Sequence, residues 1–188
     1  MKLDRFIAWF EWLLKWEGTV FENDPDDPGG ATKYGIDQRS HPRENIRQLT
    51  KARAAEIYRA EYWGRVRADE MPPAVGEVVA NIAVNCGIGR AAKWLQRAVG
   101  ASEDGIIGDD TIRRTNAMSD AKTLARALIA RTQQHYRDIA KGRLAKFLTG
   151  WTNRNNDLAR FIGVGCTRVS PGCAHRHHKV QWGKGKPG

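Results

Sequence analysis

The chain has 188 residues, of which 41% are hydrophobic and seven are tryptophan, enough for one medium domain with a core or for one domain with a small appendage. This composition excludes general disorder, and no stretch approaches the roughly 18 uncharged apolar residues of a membrane-spanning helix. The net charge is +10, and residues 166–188 contribute five Lys or Arg and no acid. A basic surface suits any polyanion, but no nucleic-acid recognition motif is present.

Apolar residues recur at helical spacing along most of the chain, which predicts a mainly α fold. The first helix is expected from about Leu3 to Trp16. Charged residues interrupt it, so we interpret it as a retained amphipathic helix and not as a signal peptide. Its apolar residues form two stripes, Phe6, Ile7, Phe10, Leu13 and Leu14 in one, and Trp9, Trp12 and Trp16, interpreted as core, in the other.

A stretch rich in Gly, Pro and Asp follows, over residues 18–42. Pro25, Pro28 and the Gly29-Gly30 pair exclude a long helix here. Short β segments near Val20-Phe21 and Lys33–Ile36 are predicted to form a small hairpin.

Six further helices are predicted downstream. Thr50 caps one that continues to about Trp63, and Asp109 or Asp110 caps a later one. Cys86, in an apolar helical stretch, is expected to be a buried thiol. The helices are expected after Pro73 (through residue 87), over 90–100, after the turn at 103–108, over 121–141 and over 153–162.

The tail beyond residue 165 has few aliphatic residues and many Gly, Pro and basic residues, so we expect it to be extended or poorly ordered. Cys166 and Cys173 could close a small loop in an oxidising compartment. They could instead bind zinc with the tail histidines, but the spacing matches no common zinc finger, so loose tail residues are the preferred interpretation. The histidines are His175, His177 and His178.

The segment from Glu17 to Ile36 is the richest in chemistry, because it holds five carboxylates. Such crowding suits a solvated loop, a cation site or acid/base work, and the calcium-binding EF-hand pattern is absent. Glycoside hydrolysis needs one protonated carboxyl group and one ionised carboxylate. Glu17 suits the first role, because partial desolvation and the negative end of the helix dipole both favour its protonated form. Asp26 or Asp27 suits the second.

Thr32 extends this pattern, because Glu17, Asp26 and Thr32 have the spacing of the Glu-Asp-Thr triad of phage-type lysozymes. In those enzymes the Asp and Thr position the attacking water. The segment also resembles the signature of glycoside hydrolase family 108, through Glu17-Gly18, Asp24-Pro25, residues 27–30 (Asp-Pro-Gly-Gly), Thr32 and Gly35-Ile36.

The resemblance continues in order over about residues 3–163. LTKARAAEIYRAEYW is similar to the next helix of the family, and AVNCGIGRAAKWLQRAVG with DGIIGDDTI is similar to its peptidoglycan-binding half. GWTNRNNDLARF is similar to its closing motif. The family implies a lysozyme-like helical fold with a small β hairpin beside the active site, and N-acetylmuramidase activity.

Two departures from the family pattern affect the choice of the second carboxylate. Thr19 replaces the usual second Gly, and the interval from Glu17 to Asp24 is one residue longer than is common. The motif alignment therefore names Asp27, whereas the lysozyme spacing names Asp26. Both stay open, and Glu17 is the same in either alignment.

The sequence thus predicts an endolysin-like peptidoglycan hydrolase that needs no cofactor or metal. It predicts a catalytic region at 1–87, a helical peptidoglycan-binding region at 88–165 and a basic tail at 166–188. The alternatives are a lytic transglycosylase, which the nearby Asp and Thr disfavour, and a non-catalytic wall-binding module. The residues expected to contact substrate are Tyr34, Asn85, Trp94, Asp104 and Thr111.

The expected partner is bacterial peptidoglycan, with anionic envelope polymers attracted by the tail, and no specific nucleic acid. A monomer is expected. Because no signal peptide is recognised, we expect synthesis in the cytoplasm and delivery to the wall by a holin, a secretion system or a virion.

Overall fold

The first helix forms because a capped run of apolar residues can bury one side. The computed structural model of the protein describes residues 4–23 and 29–165. In it α1 spans Arg5–Glu17, and the Asp4 carboxylate accepts the N–H of Phe6 at 3.0 Å, as an N-cap should. The prediction that Glu17 closes this helix is confirmed.

Both stripes of α1 supply core residues, with two exceptions: Ile7 is exposed, and Trp16, at the last turn, is only half-buried and not part of the core. Trp9 and Leu13 have no exposed surface, whereas Ile7 is 41% exposed, so its assignment to the apolar face is wrong. Ile7 lies at the edge of the buried arc, where the helix turns towards solvent. The other buried residues of α1 are Phe6, Phe10, Trp12 and Leu14.

A two-stranded antiparallel hairpin follows, with β1 at Thr32–Lys33 and β2 at Ile36–Asp37. Thr32 faces Asp37 and Lys33 faces Ile36. Glu22 adds an isolated bridge, because its backbone N–H and C=O both pair with Thr32 at 2.8 Å. The predicted hairpin is therefore present, but both of its strands lie within residues 32–37, and the earlier segment contributes only this bridge.

A 3₁₀ turn at Ile46–Gln48 leads into α2, Lys51–Tyr58, whose last turn continues as a π-helix at Arg59–Trp63. The Thr50 hydroxyl accepts the N–H of Arg53 at 3.1 Å, which confirms the predicted cap. α1 and α2 pack together, and the rings of Phe10 and Tyr58 lie 5.6 Å apart.

The described residues divide into two compact units, one ending at Glu61 and the other beginning at Tyr62. In the second unit a 3₁₀ turn at Ala68–Glu70 precedes α3, Val75–Cys86, and α3 packs against the two later helices α4, Ile88–Val99, and α6, Ala121–Ile139. Cys86 is buried, as predicted, and this burial raises the pKa of its thiol to about 11.

The short helix α5 covers Asp109–Asn116, and its predicted cap is wrong. Gly108 occupies the N-cap position and makes no side-chain hydrogen bond. Asp109 and Asp110 lie in the first turn instead, where the helix dipole favours carboxylates. Asp110 is also ion-paired with Arg114 at 2.7 Å.

The last helix, α7, covers Leu148–Phe161 after a 3₁₀ segment at Gly142–Phe147, and so begins five residues before the predicted start at Asn153. Gly150 is buried inside it, and α7 packs against α6. The fully buried Arg154 donates to the Asn81 side-chain oxygen on α3 at 3.0 and 3.1 Å. A buried charge is tolerated only when hydrogen bonds satisfy it, so this contact fixes α7 against α3.

The result is a mainly α fold of lysozyme-like character, as predicted. No helix in the described part of the chain combines the length and the apolar character needed to cross a bilayer. The tail, with Cys166, Cys173 and its histidines, lies outside the described residues. The predicted division into regions 1–87 and 88–165 stays a prediction.

Candidate active site

Glu17 sits where α1 stops. It is half-buried, and the next residue, Gly18, leaves the helix with φ +78°. The side chain therefore projects from the carboxyl end of a helix whose other side is anchored in the core by Trp9 and Leu13. A carboxyl group in this position is held firmly and only partly hydrated.

The hairpin turn is built from two residues with positive φ. Tyr34 has φ +54° and Gly35 has φ +74°, and they connect β1 to β2 directly. Positive φ at both central residues is the type I′ geometry, which matches the twist of the strands. Tyrosine is uncommon in this region of backbone space, so Tyr34 carries conformational strain that its surroundings must hold in place.

The turn lies directly against the candidate acid. A β-carbon placed on Gly35 would be 2.9 Å from the Glu17 carboxylate oxygen Oε2, 2.9 Å from its Cβ and 2.6 Å from the Tyr58 hydroxyl. The Tyr58 hydroxyl donates to the Tyr34 carbonyl at 3.1 Å. The end of α1, the hairpin turn and the end of α2 thus converge on one point, and only a glycine fits there.

Of the other predicted catalytic residues, the structure describes only Thr32. Thr32 lies on β1, half-buried, and its hydroxyl donates to the Gly30 carbonyl at 3.3 Å. Thr32 and Tyr34 belong to the hairpin that contacts Glu17 through Gly35. Asp26 and Asp27 lie outside the described residues, so the choice between them stays open.

Of the residues predicted to contact substrate in the second unit, three take part in internal hydrogen bonds. The Asp104 carboxylate accepts Gln96 Nε2 at 2.6 Å and the Ile106 N–H at 2.8 Å, and these bonds lower its pKa. Thr111 is buried and accepts a long 3.4 Å bond from the same amide. Asn85 donates to the Asn81 carbonyl at 2.8 Å. Their contact with substrate stays a prediction.

Trp94 is different, because it lines an open cleft. Its side chain is 8% exposed, and the guanidinium of Arg131 lies over its ring at 4.8 Å. The cleft has a volume of about 380 Å³ and is bordered by basic residues of α4 and α6.

Two features of the first unit were missed by the sequence analysis. Tyr58 was assigned only to a helix, because a tyrosine in an amphipathic pattern signals packing and not proximity to Glu17. The pair between His41 and Glu61, with Nε2 3.1 Å from both carboxylate oxygens, was also unforeseen. Within residues 4–23 and 29–165, no three His, Cys, Asp or Glu side chains are grouped to hold a metal ion.

Comparison with known proteins agrees with this arrangement. Residues 10–87 match the family model described as glycosyl hydrolase 108, and residues 90–156 match one described as a predicted peptidoglycan domain. A solved structure, that of SagA from Brucella abortus, is 30% identical, with 88% of this chain and 97% of that chain covered and a TM-score of 0.71. No curated protein matches the chain at significant similarity.

The fold and the two matched regions define a glycoside hydrolase that acts on peptidoglycan. Within that class, the chain belongs to glycosyl hydrolase family 108.

Proposed function

We propose that the protein is an N-acetylmuramidase that hydrolyses the β-1,4 bond between N-acetylmuramic acid and N-acetylglucosamine, with Glu17 as general acid. The observation that supports this most directly is that the Glu17 carboxylate and the Tyr58 hydroxyl both approach the turn at Gly35, to within 2.9 and 2.6 Å of where a β-carbon on Gly35 would lie. A general acid must be held within hydrogen-bond reach of the leaving oxygen, and this packing restricts the positions that the carboxyl group can take.

The second carboxylate would be Asp26 or Asp27, with Thr32 beside it. It would stay ionised, activate a water and stabilise the oxocarbenium-like transition state while Glu17 protonates the glycosidic oxygen. A separation of about 6.5–9.5 Å from Glu17 would leave room for that water and give inversion. A separation near 5 Å would favour a covalent intermediate and retention.

The acid is tested by Glu17→Gln, assayed as release of soluble fragments from purified peptidoglycan. We expect a loss of about 10²–10⁴-fold, the usual contribution of a general acid. Glu22→Gln is a matched control, because its side chain is exposed and its bridge to Thr32 uses only backbone atoms. Activity of Glu17→Gln within about tenfold of wild type would contradict the assignment.

The products distinguish this proposal from its alternatives. Hydrolysis leaves reducing N-acetylmuramic acid ends, whereas a lytic transglycosylase leaves 1,6-anhydro ends that are lighter by one water. Mass spectrometry of digested sacculi separates the two. Sedimentation of the protein with sacculi, without release of fragments, would indicate a non-catalytic wall-binding module.

A further inference from the structure

A cleft in the second unit takes no part in the proposed hydrolysis. It is bordered by α4, by the segment that follows α4 and by α6, and its volume is about 380 Å³. This is the size range of sites for small ligands. This basic cleft is lined by Arg90, Lys93, Trp94, Arg97, Glu103 and Arg131.

Three of its cations form no salt bridge within the described part of the chain. Arg90 donates to the Cys86 carbonyl at 3.2 Å, Arg131 lies over the Trp94 ring, and Lys93 is exposed. Arg97 is the contrast, because it forms a two-pronged pair with Glu103 at 2.7 and 2.8 Å. The basic cleft therefore holds a net excess of positive charge.

The geometry at Trp94 orders part of this charge in advance. Arg131 is half-buried, and its position over the indole ring of Trp94 restrains its planar guanidinium. The ring of His135 makes an edge contact with the same indole, with ring centroids 5.3 Å apart. Burial lowers the pKa of His135, and the nearby Arg90 and Arg131 lower it further. The positive potential of the basic cleft therefore disfavours protonation of His135, and a bound anion would reduce the repulsion between these cations.

The chemical structure of peptidoglycan indicates which anion the basic cleft would bind. The backbone sugars of peptidoglycan are joined to stem peptides through the lactyl group, so most of its negative charge is carried by the carboxylates of those peptides. Guanidinium groups bind carboxylates through two parallel hydrogen bonds. The basic cleft also lies in the region, residues 90–156, that matches the predicted peptidoglycan domain.

We propose that the basic cleft binds the carboxylates of the peptidoglycan stem peptide, with Arg131, Arg90 and Lys93 as the recognising cations. This proposal rests on the proposed function, because it assumes that the chain acts on peptidoglycan. It assigns the stem peptide to α4 and α6, and leaves the glycan bond to Glu17.

The test measures binding of a synthetic acidic stem peptide by calorimetry, with full-length protein that carries Glu17→Gln. Adding Arg131→Gln or Lys93→Gln should weaken binding about ten- to hundredfold, the usual effect of losing a charge-assisted hydrogen bond. Lys93 is exposed, so its replacement leaves the fold intact. Arg137→Gln is the matched control, since Arg137 is exposed on the same helix α6 and, among the described residues, hydrogen-bonds only Gln134.

Three results would overturn the proposal. The first is equally tight binding of the same peptide with its carboxyl groups amidated. The second is unchanged binding by both cleft variants. The third is a preference for inorganic phosphate over the acidic peptide, which would point to phosphate-bearing envelope polymers as the ligand.

A second measurement separates this proposal from the proposed function. On glycan strands stripped of their stem peptides, Arg131→Gln in the otherwise wild-type chain should hydrolyse as fast as wild type, and on intact peptidoglycan it should be slower. Failure of the muramidase assignment would appear as absent hydrolysis of both substrates, with peptide binding unaffected.

Discussion

Gly35 is the residue on which the candidate active site depends most sharply. Its φ of +74° is one that side-chain-bearing residues rarely adopt, and the space where a side chain would begin is filled by Glu17 and Tyr58. These are two independent requirements for glycine, one from the backbone and one from packing.

Gly35→Ala should lower the free energy of unfolding by at least about 1–2 kcal/mol and reduce peptidoglycan hydrolysis about 10²-fold. The strain follows from the positive φ, and the loss of activity follows from displacement of the Glu17 carboxylate by the new methyl group. Denaturant unfolding and fragment release from purified peptidoglycan measure the two effects.

Gly163→Ala provides the control, because Gly163 has a similar φ of +68° and nothing within 4 Å of an added Cβ. It should lose similar stability and keep its activity. Wild-type activity in Gly35→Ala would mean that the turn does not control the position of the acid.

At the scale of single residues, the sequence predicted that Glu17 ends the first helix but not which residues surround it. Glu17 was identified because helix end, apolar neighbours and motif all point to it. Its proximity to Tyr58 could not be predicted, since it depends on how α2 packs against α1. The strained Tyr34 was also unforeseen as a turn residue, because Asn, Asp and Gly are the usual residues at positive φ.

Among the elements, the stability of α2 affects the candidate active site, because its last residue, Tyr58, places its hydroxyl beside Gly35. The helix is only Lys51–Tyr58 before its π-helical turn, and a helix of this length is marginal without capping and packing. The Thr50 hydroxyl satisfies one of its otherwise unpaired N–H groups.

Thr50→Ala should therefore reduce the free energy of unfolding by about 1 kcal/mol, the typical cost of losing an N-cap side chain. Thr50→Ser should stay close to wild type, because it keeps the accepting oxygen. The comparison is made by denaturant unfolding of the two variants. An equal loss in both would show that the Thr50 methyl group, and not its hydroxyl, stabilises α2.

The elements that were mispredicted share a cause. Asp109 and Asp110 are good capping residues, but the extended Gly108 takes the cap position and moves both into α5. The last helix was expected to begin at Asn153, yet α7 begins at Leu148 and includes the buried Gly150, so packing of this segment outweighs the intrinsic cost of a glycine in a helix. In both cases the local preference of a residue type suggested one boundary, and the tertiary structure, which cannot be read from local preferences, set another.

For the whole molecule, the uneven distribution of charge is the feature with the widest effect. Residues 166–188 contribute half of the net charge of +10. Long-range attraction of this kind accelerates encounter with an anionic surface and weakens as salt shortens the Debye length to about 8 Å at physiological ionic strength.

Truncation after Gly165 should slow the lysis of whole bacterial cells up to about tenfold at low salt and have little effect at high salt. Turbidity of a cell suspension measures the rate. A full-length variant with the five tail Lys and Arg replaced by Gln separates charge from length and should match the truncation. Undiminished lysis by the truncated chain at low salt would refute a role for the tail in attraction.

The contact between Gly35 and Glu17 also has a thermodynamic consequence. A two-stranded hairpin contributes little stability of its own, and such segments open locally at far lower free energy than the core. When the Tyr34–Gly35 turn opens, the Glu17 carboxyl group loses its packing against the turn and becomes more hydrated. In the proposed mechanism, the fraction of molecules with Glu17 held in position would follow this local opening equilibrium, and we expect the loss of activity on warming to precede global unfolding.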